Sequence, residues 1–283
     1  MSSGEREPAI IFLAISAVFV LKCRMSLTES QRAAQAQFSR QSRQYGLEHP
    51  ILSRVADLEA ALPRLDFEPG FRVLDVATGG GHCAAFFARQ GGEVTVTDLA
   101  EPMVRQSMAL AAGQGTVLGG AVALAERLPF AAASFDLVTC RVAPHHFASP
   151  AAFVAEAARV LRPGGRLLVI DGSIPDNEPV AEEWIHALEK WRDPSHGRFY
   201  SPREWRGFAE SAGLTVKFLE LHPMKQPDLE DYFNRAGTPP ENREKVRRHI
   251  ESAPPEAGRA FDLKTEDGKI VWWWPRMTLV ARR

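Results

Sequence analysis

Two aspartates, a run of three glycines and a pair of histidines are the residues whose types and spacing could do chemistry. Asp75 lies in the apolar run Val73-Leu74-Asp75-Val76, and Gly79-Gly80-Gly81 follows it. His82 to Arg89 then reads as a helix with small residues facing inward. Strand, glycine turn and helix is a layout that binds nucleotide-like ligands. The glycines let the backbone bend sharply and approach the ligand, and the helix start offers free N–H groups. Asp98 closes the alternating strand Glu93 to Asp98. It stands about 20 residues past the glycines, where nucleotide folds place the acid that takes two ribose hydroxyls. A carboxylate suits that task because it accepts two hydrogen bonds side by side. His145 and His146 follow the strand Phe135 to Cys140, at the sheet end where ligands gather. Imidazole is the best-matched base near neutral pH. The pair reads either as substrate-contacting or proton-accepting groups or as loop histidines that shape the crevice. His82 at the helix start is expected beside the same ligand, or else partly in solvent. His196, Tyr200 and His222 are weaker candidates. No metal-ligand spacing, nucleophile elbow or Walker loop occurs.

The elements around these residues alternate. Thr28 to Tyr45 reads as a helix with Thr28 as N-cap and Gly46 as its end. Ile51 to Leu62 is a second, more amphipathic helix. After the glycine-turn unit come a helix over Pro102 to Ala112, a strand over Thr116 to Val122 and the strand Phe135 to Cys140. A helix over Pro150 to Leu161 ends at Arg162-Pro163-Gly164-Gly165, and the strand Arg166 to Asp171 follows. Strands alternating with helices give a parallel sheet covered on both faces. Beyond Gly172 the pattern predicts helices over Val180 to Trp191 and Ser201 to Ala212, then a strand over Leu214 to Leu221. Two short helices are expected within Asp228 to Ser252, and a last extended segment over Lys269 to Arg282 that Pro275 interrupts. Trp184, Leu188 and Trp191 share one helix face, and Trp272 and Trp274 share one sheet face opposite Trp273. These aromatics either form a lid over the crevice or pack the insertion onto the sheet.

Bulk properties narrow the field. The 283 residues are 45% apolar and 24% charged, ordinary values for a globular chain with a full core. A formal net charge of -1 lacks the basic surplus of a nucleic-acid binder. Cys23, Cys83 and Cys140 make neither a disulfide framework nor a metal knuckle, and read as small buried groups in a reducing, cytoplasmic setting. The apolar run Ala9 to Leu21 falls short of the ~20 residues that span a bilayer. Glu5-Arg6-Glu7 stands where a signal peptide has positive charge. Residues 1–24 therefore read as an extension, ahead of a more natural start at Met25; a membrane anchor at 9–21 is the less favoured reading.

The ordered blocks VLDVATGGGHCAAFFA, VTVTDLAEPMV, AERLPFAAASFDLVTCRVAPHHF and EAARVLRPGGRLLVID resemble class I S-adenosylmethionine-dependent methyltransferases. Within that family they are most similar to the branch with quinone-ring C-methyltransferases and small-molecule methyltransferases. The resemblance implies an α/β, Rossmann-like, doubly wound seven-stranded sheet, mostly parallel with an antiparallel last strand ending in TLVARR. N-terminal helices over 25–69 would cap a methyltransferase domain over 70–283, with a helical lid inserted at 174–212. The cofactor implied is S-adenosyl-L-methionine. Asp75 matches the acid facing the amino end of its methionine moiety, and Gly79 and Gly81 match two turn glycines, with Ala77 where the family has the first. Asp98 matches the ribose carboxylate, and Leu99 and Met103 match positions near the adenine. Ala125 and Glu126 match the loop beside the adenine; Leu124 replaces its usual acid, which leaves the adenine amino group to a backbone carbonyl or Glu126. Arg141 falls at the border of cofactor and substrate, and Tyr45 matches an aromatic that closes over the cofactor.

The methyl group comes with the cofactor, so the protein's task is position and a water-poor pocket. A base at His145 or His146 depends on the acceptor. If the aromatics line the crevice, the acceptor is a small flat molecule such as a quinol, a phenol or a polyketide-like ring. The competing readings are a nicotinamide-dependent oxidoreductase on a related fold and a relative that keeps the cofactor for a non-methylating role. No nucleic acid and no metal are expected as partners; a homodimer is left open.

Overall fold

The computed structural model describes residues 11–15, 18–22, 26–45, 52–114, 116, 119–226 and 228–283. The expectations placed on Cys23, Met25 and Gly46 lie outside them. Helix α1 (Glu29–Gln41) starts at a full capping box: Thr28 Oγ1 accepts from Gln31 N and Gln31 Oε1 accepts from Thr28 N. A 3₁₀ turn over Ser42–Tyr45 continues it.

Helix α2 (Ala56–Ala61) is shorter than the expected Ile51 to Leu62. The carbonyls of Leu52 and Arg54, which a longer helix would use internally, accept instead from the Arg141 guanidinium at 2.9 and 2.7 Å.

The strands and helices of the α/β unit follow in order: β3 (Arg72–Val76), α3 (His82–Arg89), β4 (Glu93–Asp98), α4 (Glu101–Gly113), β5 (Gly119–Val122), β6 (Phe135–Arg141), α5 (Pro150–Val160) and β7 (Leu161–Gly172). Strand β5 is described over Gly119–Val122; at the expected start Thr116 turns back and gives both its N–H and its hydroxyl to Ala111 O, and residues 117 and 118 lie outside the described residues. Further on lie α6 (Pro179–Arg192), α7 (Pro202–Ser211), β8 (Thr215–Gln226), α8 (Leu229–Ala236), α9 (Pro240–Glu251), α10 (Pro255–Ala260), β9 (Lys264–Glu266) and β10 (Lys269–Arg282).

The main sheet runs β5-β4-β3-β6-β7-β10-β8, the expected seven strands. Neighbours from β5 to β7 are parallel, and β10 is antiparallel to both β7 and β8. Pro275 does not interrupt β10. It stands opposite Pro223 of β8, so neither strand asks the other for a missing N–H there. Three strands go beyond the expectation. Strand β9 pairs with β10, and β1 (Ile11–Ile15) and β2 (Val18–Lys22) form a hairpin whose second strand extends the sheet beside β5. Much of the apolar run read as an extension thus supplies backbone pairing at an otherwise open edge. No helix among the described residues is long and apolar enough to cross a membrane.

Side chains alternate across the sheet as its pleat requires. Val73 faces a core formed with α3, α4 and Leu58 of α2, while Leu74 and Val76 face a second core formed with α5 and α7. A third core stands apart, with Trp184, Tyr232, Phe233, Phe261 and Trp272 at its centre. It divides the helical insertion expected over 174–212. Helix α6 joins α9 and α10 in this cap, whereas α7 packs on α5 and β8 as an ordinary crossover helix. The chain after β8 completes the cap, a contribution that the polar sequence of α8 and α9 did not advertise.

Candidate active site

The glycine turn crosses the carboxyl end of β3, where the strand order reverses between β4 and β6. Asp75 is buried there, with Oδ1 accepting from Thr139 Oγ1 and Oδ2 from Thr78 Oγ1, both at 2.7 Å. Burial raises its carboxyl above the ordinary range, against those two hydrogen bonds. Ala77, Gly79 and Gly81 all have left-handed backbones, at φ 53°, 53° and 87°. Thr78 N donates to Thr97 O at 2.9 Å and ties the turn to β4.

The turn leaves no room for side chains. A Cβ on Gly80 would lie 1.8 Å from Tyr45 O, and one on Gly81 would lie 2.4 Å from Ser107 Oγ. The sequence offers the glycine run but not Ser107 or the carbonyl of Tyr45, because neither contact leaves a local trace. His82 Nε2 meets the same Tyr45 carbonyl at 3.2 Å, so this nitrogen carries the proton.

Asp98 completes this side. Its Oδ2 accepts from Gly79 N at 3.1 Å and its Oδ1 from Ala100 N at 2.9 Å. Burial lifts its pKa to about 6 despite those two N–H groups. Each oxygen keeps a second lone pair, so hydroxyl donors remain welcome.

A cleft of about 1010 Å³, counted to its open mouth, opens over these residues. All the cofactor positions named from sequence line it except Gly81, which sits beneath the turn against Ser107. Met103 and Ala125 are buried in its wall. Glu126 is partly committed: its Oε1 accepts from Ala148 N at 2.9 Å and Ser149 N at 3.3 Å, holding the loop before α5. The shape, the crowded glycine cradle and the carboxylate with spare lone pairs fit an adenosine-type cofactor.

A second cavity of about 810 Å³ adjoins the first, and the two share Tyr45, Leu52, Val142 and His146. Tyr45 stands between them, and burial, then the Asp193 charge, push its hydroxyl well above the ordinary range. Phe199 and Trp274 supply aromatic wall, and His145, Arg192, Asp193 and Arg276 supply charge. Arg141 and Arg276 share one carboxylate: Asp57 Oδ2 accepts from Arg141 Nε at 3.0 Å and from Arg276 Nη1 at 3.1 Å.

His145 is held at both ends by Asp171, whose Oδ2 accepts from His145 N at 2.9 Å and whose Oδ1 meets Nδ1 at 2.7 Å. Burial disfavours its charged ring, but the Asp171 carboxylate outweighs burial and raises its pKa. His146 goes the other way, to about 4, through burial and the neighbouring His145 charge. Among the weaker candidates, His196 is buried beside both rings, while Tyr200 packs on Trp205 and Phe208 and His222 stands near Glu220, outside both cavities. No group of three or more metal-ligating side chains gathers among the described residues.

Comparison with known proteins agrees with this geometry. A methyltransferase domain family matches residues 74–169. The uncharacterized methyltransferase YcgJ of Bacillus subtilis is 31% identical over 226 residues, covering 79% of this chain and 88% of the relative. The ubiquinone/menaquinone biosynthesis C-methyltransferase UbiE of Cupriavidus metallidurans is 37% identical over 188 residues, covering 61% of this chain and 74% of its own. Among solved structures, one from Bacillus halodurans, provisionally assigned as a methyltransferase, has a TM-score of 0.75 at 34% identity, covering 80% of this chain and 98% of that one.

Proposed function

Because the chain belongs to the class I S-adenosylmethionine-dependent methyltransferases, and not to the dehydrogenases its glycine turn also allowed, we propose that it methylates a small flat acceptor seated in the second cavity. The observation that carries this reading is the junction of the two cavities at Tyr45 and His146. One side has the glycine turn and Asp98; the other has aromatic wall and two histidines. Relatives named for quinone methylation, UbiE and a demethylmenaquinone methyltransferase of Beutenbergia cavernae at 35% identity, favour a quinol or phenol over a polyketide-like ring.

S-adenosylmethionine would supply a methyl group already activated on a sulfonium. The protein's part is to bind, align and dry the site. Asp98 would take the ribose hydroxyls on its remaining lone pairs. Met103, Leu99 and Ala125 would flank the adenine, with Glu126 at its edge. Asp75, whose oxygens are already bonded to Thr78 and Thr139, would act on the methionine end chiefly by its charge. Tyr45 and Arg141 would mark the border with the acceptor, and His145 and His146 would handle its proton.

The test is calorimetric titration of the full chain with S-adenosylhomocysteine, beside Asp98→Ala. Micromolar binding that the variant loses is expected, followed by transfer of labelled methyl to hydroxylated aromatic rings. A folded protein that binds no S-adenosylhomocysteine would refute the reading.

A further inference from the structure

His146 sits where the two cavities meet, and its Nδ1 has two neighbours, both on Ser195. The Ser195 main-chain oxygen and the Ser195 Oγ each lie 3.1 Å from it. A carbonyl oxygen can only accept, so Nδ1 must carry the proton. Ser195 Oγ spends its own proton elsewhere, on Asp193 Oδ1 at 2.7 Å, and so turns a lone pair toward the ring. Asp193 Oδ1 is fixed in turn by Ser195 N at 2.9 Å and by Gln37 Nε2 of α1 at 2.8 Å. The whole chain of contacts therefore has one consistent direction. It leaves Nε2 of a neutral His146 as a bare lone pair, with no hydrogen-bond partner among the described residues.

We infer that Asp193 and Ser195 are positioning residues that hold His146 with Nε2 open as the base for a hydroxyl-bearing acceptor, while His145 serves as a fixed cation beside it. The inference rests on the methyltransferase reading of the second cavity. The two imidazoles are 4.1 Å apart between ring centroids, too close for both to be charged at low cost. Asp171 is bonded to His145, not to His146, so the charge resides on His145. The other groups around His146 are the rings of Phe38 from α1 and His196, and the carboxylate of Asp193. Burial together with the His145 charge outweighs that carboxylate and keeps the ring neutral down to about pH 4.

The proton step balances simply. The acceptor O–H bond breaks and an Nε2–H bond forms. The oxygen pair so released makes the new bond to the methyl carbon, and the carbon–sulfur pair stays on sulfur as a neutral thioether. The imidazolium then yields its proton to solvent, which its cationic neighbour favours. A ring held this far below neutrality is unprotonated at pH 7 but is a weak base. It takes the acceptor's proton only as the bond to the methyl carbon forms and makes that hydroxyl strongly acidic.

The experiment is a long-range ¹H–¹⁵N spectrum of the full chain labelled at its 8 histidines, with His145→Gln and His146→Gln for assignment. His146 is expected as the Nδ1–H tautomer, neutral from pH 8 to pH 5, with His145 protonated at neutral pH. Asp193→Ala, which removes the acceptor of both Ser195 N and Ser195 Oγ and frees the Ser195 carbonyl to leave the ring, should give His146 a mixture of tautomers. Asp193→Asn, whose amide oxygen can still accept from Ser195, and Ser195→Thr should keep the wild-type pattern. An Nε2–H tautomer or a charged His146 at pH 7 in the wild type overturns the inference, as does an unchanged tautomer in folded Asp193→Ala. Titrating the same sample with S-adenosylhomocysteine separates the two readings. Normal binding with the wrong tautomer defeats the relay alone, and absent binding with the right tautomer defeats the methyltransferase reading.

Discussion

The two cavities share a wall, yet they are built over very different stretches of chain. On the cofactor side, Asp98 meets Gly79 across 19 residues. On the acceptor side, Ser195 meets His146 across 49 residues, Gln37 meets Asp193 across 156 and Arg276 meets Asp57 across 219. The cofactor cleft is shaped mainly by backbone: left-handed turns, N–H groups and glycines too crowded for a Cβ. The second cavity, proposed for the acceptor, is shaped by charged and amide side chains brought from α1, α6 and β10, with Asp57 of α2 bracing Arg276. A cofactor common to a family can be met by a local backbone device, whereas an acceptor particular to one protein is met by residues gathered from afar.

The sharpest way to break this contrast is to remove the charge that links the two sides. Asp57 carries two guanidiniums, and its side chain and those of Arg141 and Arg276 are only 16%, 4% and 13% exposed. Asp57→Ala leaves two buried cations without their carboxylate and is expected to cost about 3–5 kcal/mol in urea unfolding. A loss under 1 kcal/mol would show that solvent reaches the pair easily. The carbonyls of Leu52 and Arg54 should lose their guanidinium donor as well, so S-adenosylhomocysteine affinity should fall less than stability does.

On the cofactor side the matching probe is Asp98→Asn, because the carboxylate is tuned by burial. Its folded pKa of about 6 lies above the unfolded value of about 3.9. The contribution to stability is therefore complete below about pH 4 and is lost as pH rises through 6. About 2–3 kcal/mol is at stake across that window, and the amide removes the dependence. From pH 4.5 to pH 7.5 the variant should gain about 2 kcal/mol relative to wild type, while losing S-adenosylhomocysteine affinity. Parallel stability curves for the two proteins would contradict the burial argument. In the wild type, cofactor affinity should weaken below pH 6 as the carboxylate takes up its proton.

The same contrast explains what the sequence disclosed. Strand β4 and helix α3 have the bounds expected, since their signals — alternation, turn glycines, small inward residues — are local. The positions from Asp75 to Glu126 that the motifs name for the cofactor, Gly81 apart, line one cleft for the same reason. The histidine pair was visible, but the different partners of its two rings were not, because Asp171 and Ser195 approach from 26 and 49 residues away. Helix α2 was overextended since nothing near Leu52 announces that Arg141 will claim its carbonyl. Helix α10 and strand β9 escaped notice because both are short and polar, and take their shape from packing under Phe261 and pairing with β10. Glu126 looked like a ligand contact from its place in the motif, yet one of its oxygens serves the loop at Ala148.

The smallest expected effect tests whether the glycine turn is imposed by its surroundings or by its own residues. Ala77 has φ 53°, a conformation that costs an ordinary residue about 1–2 kcal/mol. It is kept there by the bonds on either side of it, Asp75 to Thr139 and Thr78 N to Thr97 O. Ala77→Gly relieves that strain but frees the unfolded chain, at a cost of about 0.4–1 kcal/mol. The net expectation is a gain of about 0.5–1 kcal/mol in urea unfolding, with S-adenosylhomocysteine affinity within twofold of wild type. A variant that is less stable would mean that the alanine methyl, which lines the cleft, packs well enough to outweigh the strain. The turn would then depend on a side chain after all, and the cofactor cleft would resemble the acceptor cavity more than its backbone suggests.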